Sequence, residues 1–286
     1  MGKNFLLFTL LHLSFFCISQ ENSNSLLWKI TGFNKNKTSY LYGTIHMVKK
    51  EDFIIKEKVK KAFNKCEVLA LEVNLKMNIK TKMNLAMQTL LPKGKSVEDF
   101  ISKKDFQLLS AYAKDSINLS DKKFKNYLKL KPFFLSSILI KESLGKIKSY
   151  DEEFYKISSK KKMRHIGLEK IEDQLKIVNE ISFKDQGEMM MDGITNNKNS
   201  FEKLVQAYLN EDLALLSKLI SNESENFKEF ESNFIIKRNQ KWIPIIERTI
   251  QKHNSFIAVG AGHLFGESGV ISLLKKNGYE VTPVFN

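Results

Sequence analysis

Gly43-Thr44-Ile45-His46 and Gly260-Ala261-Gly262-His263 each place a histidine three residues after a glycine, directly behind a short apolar run: Tyr40-Leu41-Tyr42 in the first case, Phe256-Ile257-Ala258-Val259 in the second. Two more apolar runs end on carboxylates, Val68-Leu69-Ala70-Leu71 on Glu72 and His165-Ile166-Gly167-Leu168 on Glu169. Imidazole nitrogens and carboxylates ligate divalent cations and move protons near neutral pH. A set with His46, Glu72 and His263 as ligands leaves an open position where bound water is acidified, with Glu169 orienting a ligand or acting as general base. Each signal alone is weak, because a Gly-x-x-His tetrapeptide arises often by chance and a glutamate after an apolar run is commonly a solvated strand end. The coincidence of all four carries the weight.

The elements that must position these groups are strands. Gly43, Gly260 and Gly262 are the turn formers expected where strands of an open α/β sheet stop and a ligand usually binds. Both histidines are expected to face one crevice at the strand carboxyl ends. Elsewhere helical periodicity dominates: Phe53 to Phe63 is amphipathic, Ser96-Val97-Glu98-Asp99 reads as an N-terminal cap, and Pro132 opens a helix running to Leu144. Ser200 to Ile220 and Glu223 to Lys252 continue the pattern, with Pro244 expected to kink or interrupt the latter, and Glu267 to Asn277 forms a closing helix ended by Gly278 before a strand at Glu280 to Val284. Asn196 to Ser200 reads as a polar loop. The expectation is an α/β fold with a central mixed sheet, flanking helices and a large helical insertion.

The blocks Leu41 to His46, Leu69 to Val73, Gly167 to Glu169 and Val259 to Gly266 resemble the TraB/GumN family, in which the Tiki metalloproteases are best known; Lys131-Pro132-Phe133, Tyr150-Asp151, Gln174, Arg238-Asn239 and Leu273 to Val281 match as well. The resemblance spans nearly the whole chain after its first residues, and extends to erythromycin esterases and ChaN-like haem-binding domains. It implies a hydrolase, foremost a peptidase dependent on zinc, manganese or cobalt and acting on a peptide or a protein terminus. Two alternatives stay open: a metal-free esterase using a histidine held by a glutamate, and a protein that captures a peptide or haem without turnover. Arg238 is expected to clamp Glu72 or Glu169, or to stabilise a developing oxyanion. Tyr150 and Asp151 read equally well as a helix cap.

Composition sets further bounds on 286 residues of 42% hydrophobic content and net charge +14. The lysines are spread along the chain without interleaved aromatics, which argues against a nucleic-acid platform. Lys3 and the apolar stretch Phe5 to Ile18 read as a signal peptide over residues 1–19, with residues 20–286 as one domain, periplasmic or secreted; Phe15-Phe16 is too bulky for a lipoprotein signal at Cys17. No later stretch is long enough to span a membrane. Glu21 to Ser25 reads as a flexible terminus. Cys66, left alone in the mature chain, reads as a buried small hydrophobe, and no Gly-x-Ser-x-Gly elbow supports a serine hydrolase. His165 and His253 read as a satisfied core residue and a helix-end residue, outside the site.

Overall fold

The computed structural model describes residues 24–32, 37–195, 200–220 and 232–285. The expected signal peptide, the polar stretch Asn196 to Asn199 and the start of the helix expected from Glu223 lie outside the described residues.

Six strands form one mixed sheet in the order β6 (Arg164–Glu169), β4 (Val68–Val73), β7 (Ser255–Gly260), β2 (Thr38–Thr44), β1 (Leu27–Thr31), β8 (Glu280–Pro283). The first four run parallel, and β1 and β8 close one edge in antiparallel pairing. Strands β4 and β7 are buried on both faces, which explains their unbroken apolar sequence. Tyr42 and Phe256 project to one face, where Phe154 of α6 (Tyr150–Lys160) packs at 5.7 Å and 5.0 Å between ring centroids and Phe63 of α1 (Glu57–Asn64) meets Phe256 at 5.1 Å. Helices α9 (Ser200–Leu209), α10 (Leu213–Ile220), α11 (Lys237–Lys252) and α12 (Val270–Lys276) add to the same core through Tyr208, Leu216, Trp242 and Leu274.

The insertion after β4 supplies α2 (Ile79–Gln88), α3 (Lys103–Ala111), α4 (Asp121–Tyr127) and α5 (Pro132–Leu144). With α8 (Phe183–Thr195) it closes a second apolar cluster around Leu109, Leu135 and Met190. A short ribbon of β3 (Val48–Lys49) and β5 (Ile147–Lys148), and α7 (Ile171–Glu180) directly after β6, complete the elements near the site.

Several boundaries differ from the sequence pattern. Helix α1 starts at Glu57, because Lys56 is extended and Phe53 lies in the irregular segment before it. The Ser96–Asp99 capping box opens only a single 3-10 turn, and the helix that follows starts at Lys103 under a Ser102 cap. The pattern from Ser200 to Ile220 breaks at Glu211, which has φ 55° and is buried against Lys56 and Lys58 at 2.9 Å and 2.6 Å. Pro244 does not interrupt α11: the buried residues Trp242, Ile243 and Ile246 hold it to the core, and that packing outweighs a proline penalty of about 3 kcal/mol. The closing helix is shorter than expected, Val270–Lys276, and Gly278 follows it at φ 85°. Ser25 is not part of a flexible terminus but fully buried, with its hydroxyl donating to the Leu27 and Val284 carbonyls.

Ile257 is fully buried in β7 between β4 and β2. Ile257→Ala is expected to lower unfolding free energy by about 2–5 kcal/mol in denaturant titrations, whereas Met83→Ala on the exposed surface of α2 stays within about 0.5 kcal/mol.

Candidate active site

Four parallel strands deliver the polar groups to one edge of the sheet. Glu72 lies one residue before the end of β4 and Glu169 at the end of β6, with Val73 paired to Glu169 in register. Gly260 ends β7, and the turn after it carries His263; His46 follows β2 by two residues. The β3–β5 ribbon pairs Val48 with Lys148, so the chain on either side brings His46 to Asp151 at the start of α6. Helix α7 begins immediately after β6 and places Gln174 in its first turn over both glutamates. The first turn of α11 contributes Arg238 and Asn239.

Arg238 is the centre of the arrangement. Nε donates to Glu169 Oε1 at 2.9 Å, and Nη2 donates to Glu72 Oε2 and Glu169 Oε1, both at 2.6 Å. Nη1 donates to the Phe234 carbonyl at 2.8 Å and to His263 Nε2 at 3.2 Å. A guanidinium has five N–H donors, and every one is accounted for. No donor is left over for an oxyanion, so Arg238 acts here as a positioning residue. Its carbon also lies 4.8 Å from the Trp242 ring centroid, one helical turn along.

Both glutamates are held from several sides. Glu72 Oε1 accepts from the Gly260 N–H at 2.8 Å, and Gln174 Nε2 donates to Glu72 Oε2 at 3.3 Å and to Glu169 Oε1 at 2.8 Å. Burial alone would raise the Glu72 pKa, but the surrounding positive groups and the Gly260 amide outweigh it and hold the carboxyl down at about 2. Since His263 is neutral at neutral pH, protonated His46, Arg238 and the Gly260 amide are the contributions that persist there.

The two histidines have opposite environments. Asn239 Nδ2 donates to the carbonyls of His263 and Ser268 at 3.2 Å and 2.9 Å, which fixes its amide so that Oδ1 accepts from His263 Nδ1 at 2.7 Å. His263 is therefore the Nδ1–H tautomer, with Nε2 as acceptor. Burial and then the nearby guanidinium push its pKa down to about 4. His46 instead has 66% of its side chain exposed, and its Nδ1 lies 3.2 Å from Asp151 Oδ2 while Thr44 donates to the other oxygen of Asp151 at 3.1 Å. The hydrogen bond to Asp151 stabilises the imidazolium and raises the His46 pKa above its ordinary value. Two histidines driven apart in this way are suited to different protonation roles.

Gly260 has a steric task at the junction. A Cβ there would stand 3.2 Å from Glu72 Oε1, 3.6 Å from His263 Cδ2 and 3.7 Å from His46 Nε2. Gly43 is needed for close packing rather than for a turn: it lies inside β2, and a Cβ would come within 2.7 Å of Leu264 and 3.2 Å of the Ala261 backbone. Gly262 carries no such constraint, since its nearest neighbours would be ordinary contacts at 3.6 Å or more.

Of the predicted residues, His46, Glu72 and Arg238 line a cavity of about 480 Å³, together with Asp151 and Gln174. Glu169 and His263 do not line the cavity, and their side chains are buried against Arg238. The two histidines thus share an edge without both facing the crevice. Their donors suit a divalent ion in type and orientation: each Nδ1 is tied to an oxygen acceptor, and His263 Nε2 is 3.8 Å from Glu72 Oε1. As the side chains stand, however, Arg238 holds His263 Nε2, and among the described residues no three His, Cys, Asp or Glu groups form a ready-made ion site.

Asp151, Gln174 and Asn239 were visible in the sequence only as matching family positions. Asp151 reads as a helix cap because it follows Ser149, but Ser149 is the cap and Asp151 holds His46. His165 bonds Ser158 at 2.7 Å and His253 bonds Glu67 at 3.1 Å, both away from the site. Cys66 packs at the edge of the core, where burial pushes its thiol up to about 12 and argues against nucleophilic use.

Comparison with known proteins identifies a family and distant relatives. The family described as TraB/PrgY/gumN matches residues 26–283. The chain is 24% identical to "Metalloprotease TIKI1" of Danio rerio, covering 92% of this chain and 63% of that protein. It is 26% identical to "Metalloprotease TIKI homolog" of Amphimedon queenslandica, over 94% of this chain and 63% of that one. For "Metalloprotease TIKI2" of Xenopus tropicalis the values are 23%, 92% and 60%. The chain thus spans less than two thirds of the length of these relatives. No solved structure matches significantly.

Acid is expected to weaken the site in two stages when stability is followed by thermal melting in chelator-containing buffer. Unfolded His263 accepts a proton that the folded residue resists, so stability falls as pH drops from the ordinary 6.5 toward about 4. Glu72 adds a loss of the same sign, its stabilisation being complete above its ordinary 4.5 and disappearing as pH falls toward about 2. His263→Gln should flatten the first stage only; an unchanged profile would contradict the assigned burial of the neutral ring. Separately, Arg238→Met leaves two buried carboxylates without their partner, and should cost about 3–5 kcal/mol in denaturant titrations.

Proposed function

The chain belongs to the TraB/PrgY/gumN family, and from that membership and the geometry above we propose that it is a hydrolase of peptide bonds in which His46, Glu72 and His263 hold a divalent ion. The observation that carries the proposal is the convergence of Glu72 Oε1, His46 Nε2 and the His263 ring on the space that a Cβ would fill at Gly260, at the edge of an open cavity. The metalloprotease names of the relatives support it. An ion bound there, with zinc, manganese or cobalt as candidates, would supply an acidified water and polarise the substrate carbonyl.

The protein's own residues have distinct tasks. Asp151 fixes the orientation of the His46 ring and Asn239 that of His263. Arg238 helps keep Glu72 ionised, and with Gln174 it holds both Glu72 and Glu169 in place. Ion binding requires His46 to give up its proton and Arg238 to release one hydrogen bond, the Nη1 contact to His263, while its contacts to the carboxylates remain. Glu169, tied to Arg238 and Gln174, keeps that positive charge close to the reacting edge. We assign the single domain of residues 20–286 as the active unit, exported to the periplasm or beyond after loss of its leader; among the described residues no helix is long and apolar enough to cross a membrane.

The Arg238–His263 contact also favours a second reading, hydrolysis without an ion. In that case His46, held by Asp151, exchanges the proton with water and substrate, and Arg238 is the permanent cation of the site.

Elemental mass spectrometry of protein purified from residue 20 onward without chelator separates the readings. Near-stoichiometric ion in wild type, lost in His46→Ala and His263→Ala together with cleavage of a peptide library, is the expected result. Ion-free protein that cleaves peptides and cannot be loaded with zinc, manganese or cobalt would overturn the first reading in favour of the second. Absence of any turnover would remove both. Glu169→Gln should lower kcat by about 10- to 100-fold while peptide binding persists.

A further inference from the structure

The cavity beside Gly260 is apolar over most of its wall. His46, Glu72, Asp151, Glu152, Gln174 and Arg238, with Ser137 and Ser149, supply the polar lining. The apolar lining includes Phe133 and Phe134 of α5, Ile171 and Ile177 of α7, and Phe234 just before α11. These five side chains belong to neither apolar cluster of the fold, and none is buried. Three are aromatic and packed on one another, Phe133 against Phe134 at 5.6 Å and against Phe234 at 5.9 Å between centroids. Large apolar groups held half-open to a cavity forgo burial that the fold could have supplied, which is characteristic of ligand sites rather than of cores.

The location decides what the ligand is. Glu72 and Arg238 belong both to the reacting edge and to the cavity wall, so whatever fills the apolar part is continuous with the group being hydrolysed. The geometry points to a substrate-specificity site: the cavity between α5, α7 and Phe234 receives a large apolar side chain, aliphatic or aromatic, of the residue next to the scissile peptide bond. This rests on the peptidase reading. At about 480 Å³ the space lies within the ~300–1,000 Å³ typical of small-molecule sites and holds one large side chain together with the adjoining backbone. A charged side chain seated among Phe133, Phe134, Ile171, Ile177 and Phe234 would lose its water there, and is disfavoured. The helical insertion therefore has a direct role, since α5 forms one wall of the specificity site.

Two measurements test this on the full mature protein. Cleavage of a peptide library should favour Leu, Met or Phe over Asp or Lys beside the scissile bond by about tenfold or more, and Phe134→Lys or Ile177→Lys should abolish that preference while Phe134→Leu retains it. Binding of a fluorescent reduced-amide peptide bearing Leu at that position, followed by anisotropy, gives a readout independent of turnover. Both lysine variants should weaken it about tenfold, and circular dichroism melts check that each is folded. Cleavage without apolar preference, or preference unchanged in both folded lysine variants, overturns the specificity site and leaves the hydrolase reading standing. Binding of the apolar peptide that is lost in the lysine variants, with no cleavage of any peptide, removes the hydrolase reading and keeps the cavity as an apolar-peptide site. Neither cleavage nor binding overturns both.

Discussion

One guanidinium organises the site. Arg238 joins the ends of β4 and β6 through Glu72 and Glu169, reaches the turn after β7 through His263, and ties the preceding turn through the Phe234 carbonyl. Lysine could not replace it, because a single ammonium has three donors and no planar fork to serve four acceptor groups. Desolvating one cation and two anions is expensive, and the arrangement persists because each carboxylate has additional donors, from Gln174 to both and from the Gly260 N–H to Glu72. The sheet supplies this economically: parallel pairing puts the ends of β4, β6 and β7 at one edge, so a single residue on α11 can reach all three.

That dependence explains which parts of the site were legible in the sequence. Strand ends were legible, because a both-face-buried strand is a continuous apolar run and the first polar residue after it must emerge at the sheet edge. Glu72, Glu169, His46 and His263 follow from that rule, and the structure gathers them. What the rule cannot give is depth. Nothing in the spacing of His263 indicates that it is buried against Arg238 while His46 is exposed, because depth depends on where α11 crosses the edge. Asp151 was obscured for a similar reason: in the first turn of a helix an aspartate looks like a cap, and only the β3–β5 ribbon, two residues long on each side, shows that it faces His46.

The fold shows the same division between local and tertiary information. Pro132 at the start of α5 and Gly278 after α12 act through their own backbone restrictions, so their effect is readable in place. Pro244 and Glu211 are decided by distant partners. The proline is retained within α11 because its neighbours are buried, and the helical pattern breaks at Glu211 because Lys56 and Lys58 capture the carboxylate. The three motif glycines also separate once neighbours are known: Gly43 and Gly260 are sterically constrained and Gly262 is not.

Charge balance is the last step. The formal charges of Glu72, Glu169 and Asp151 against the Arg238 guanidinium leave the edge with two net negative charges, and neutral His263 does nothing to offset them. In a region from which water is largely excluded such an imbalance attracts a further cation. In the protein as it stands that cation is His46, whose protonated form Asp151 favours and whose Nε2 comes close to the same point beside Gly260 as Glu72 Oε1. A divalent ion would meet the same demand more strongly by displacing the His46 proton, leaving the neutral ring as a ligand. Metal-bound and metal-free chemistry are therefore two ways of satisfying one electrostatic requirement that Arg238 leaves incomplete, and His46, exposed between that edge and the apolar cavity, is the residue at which they diverge.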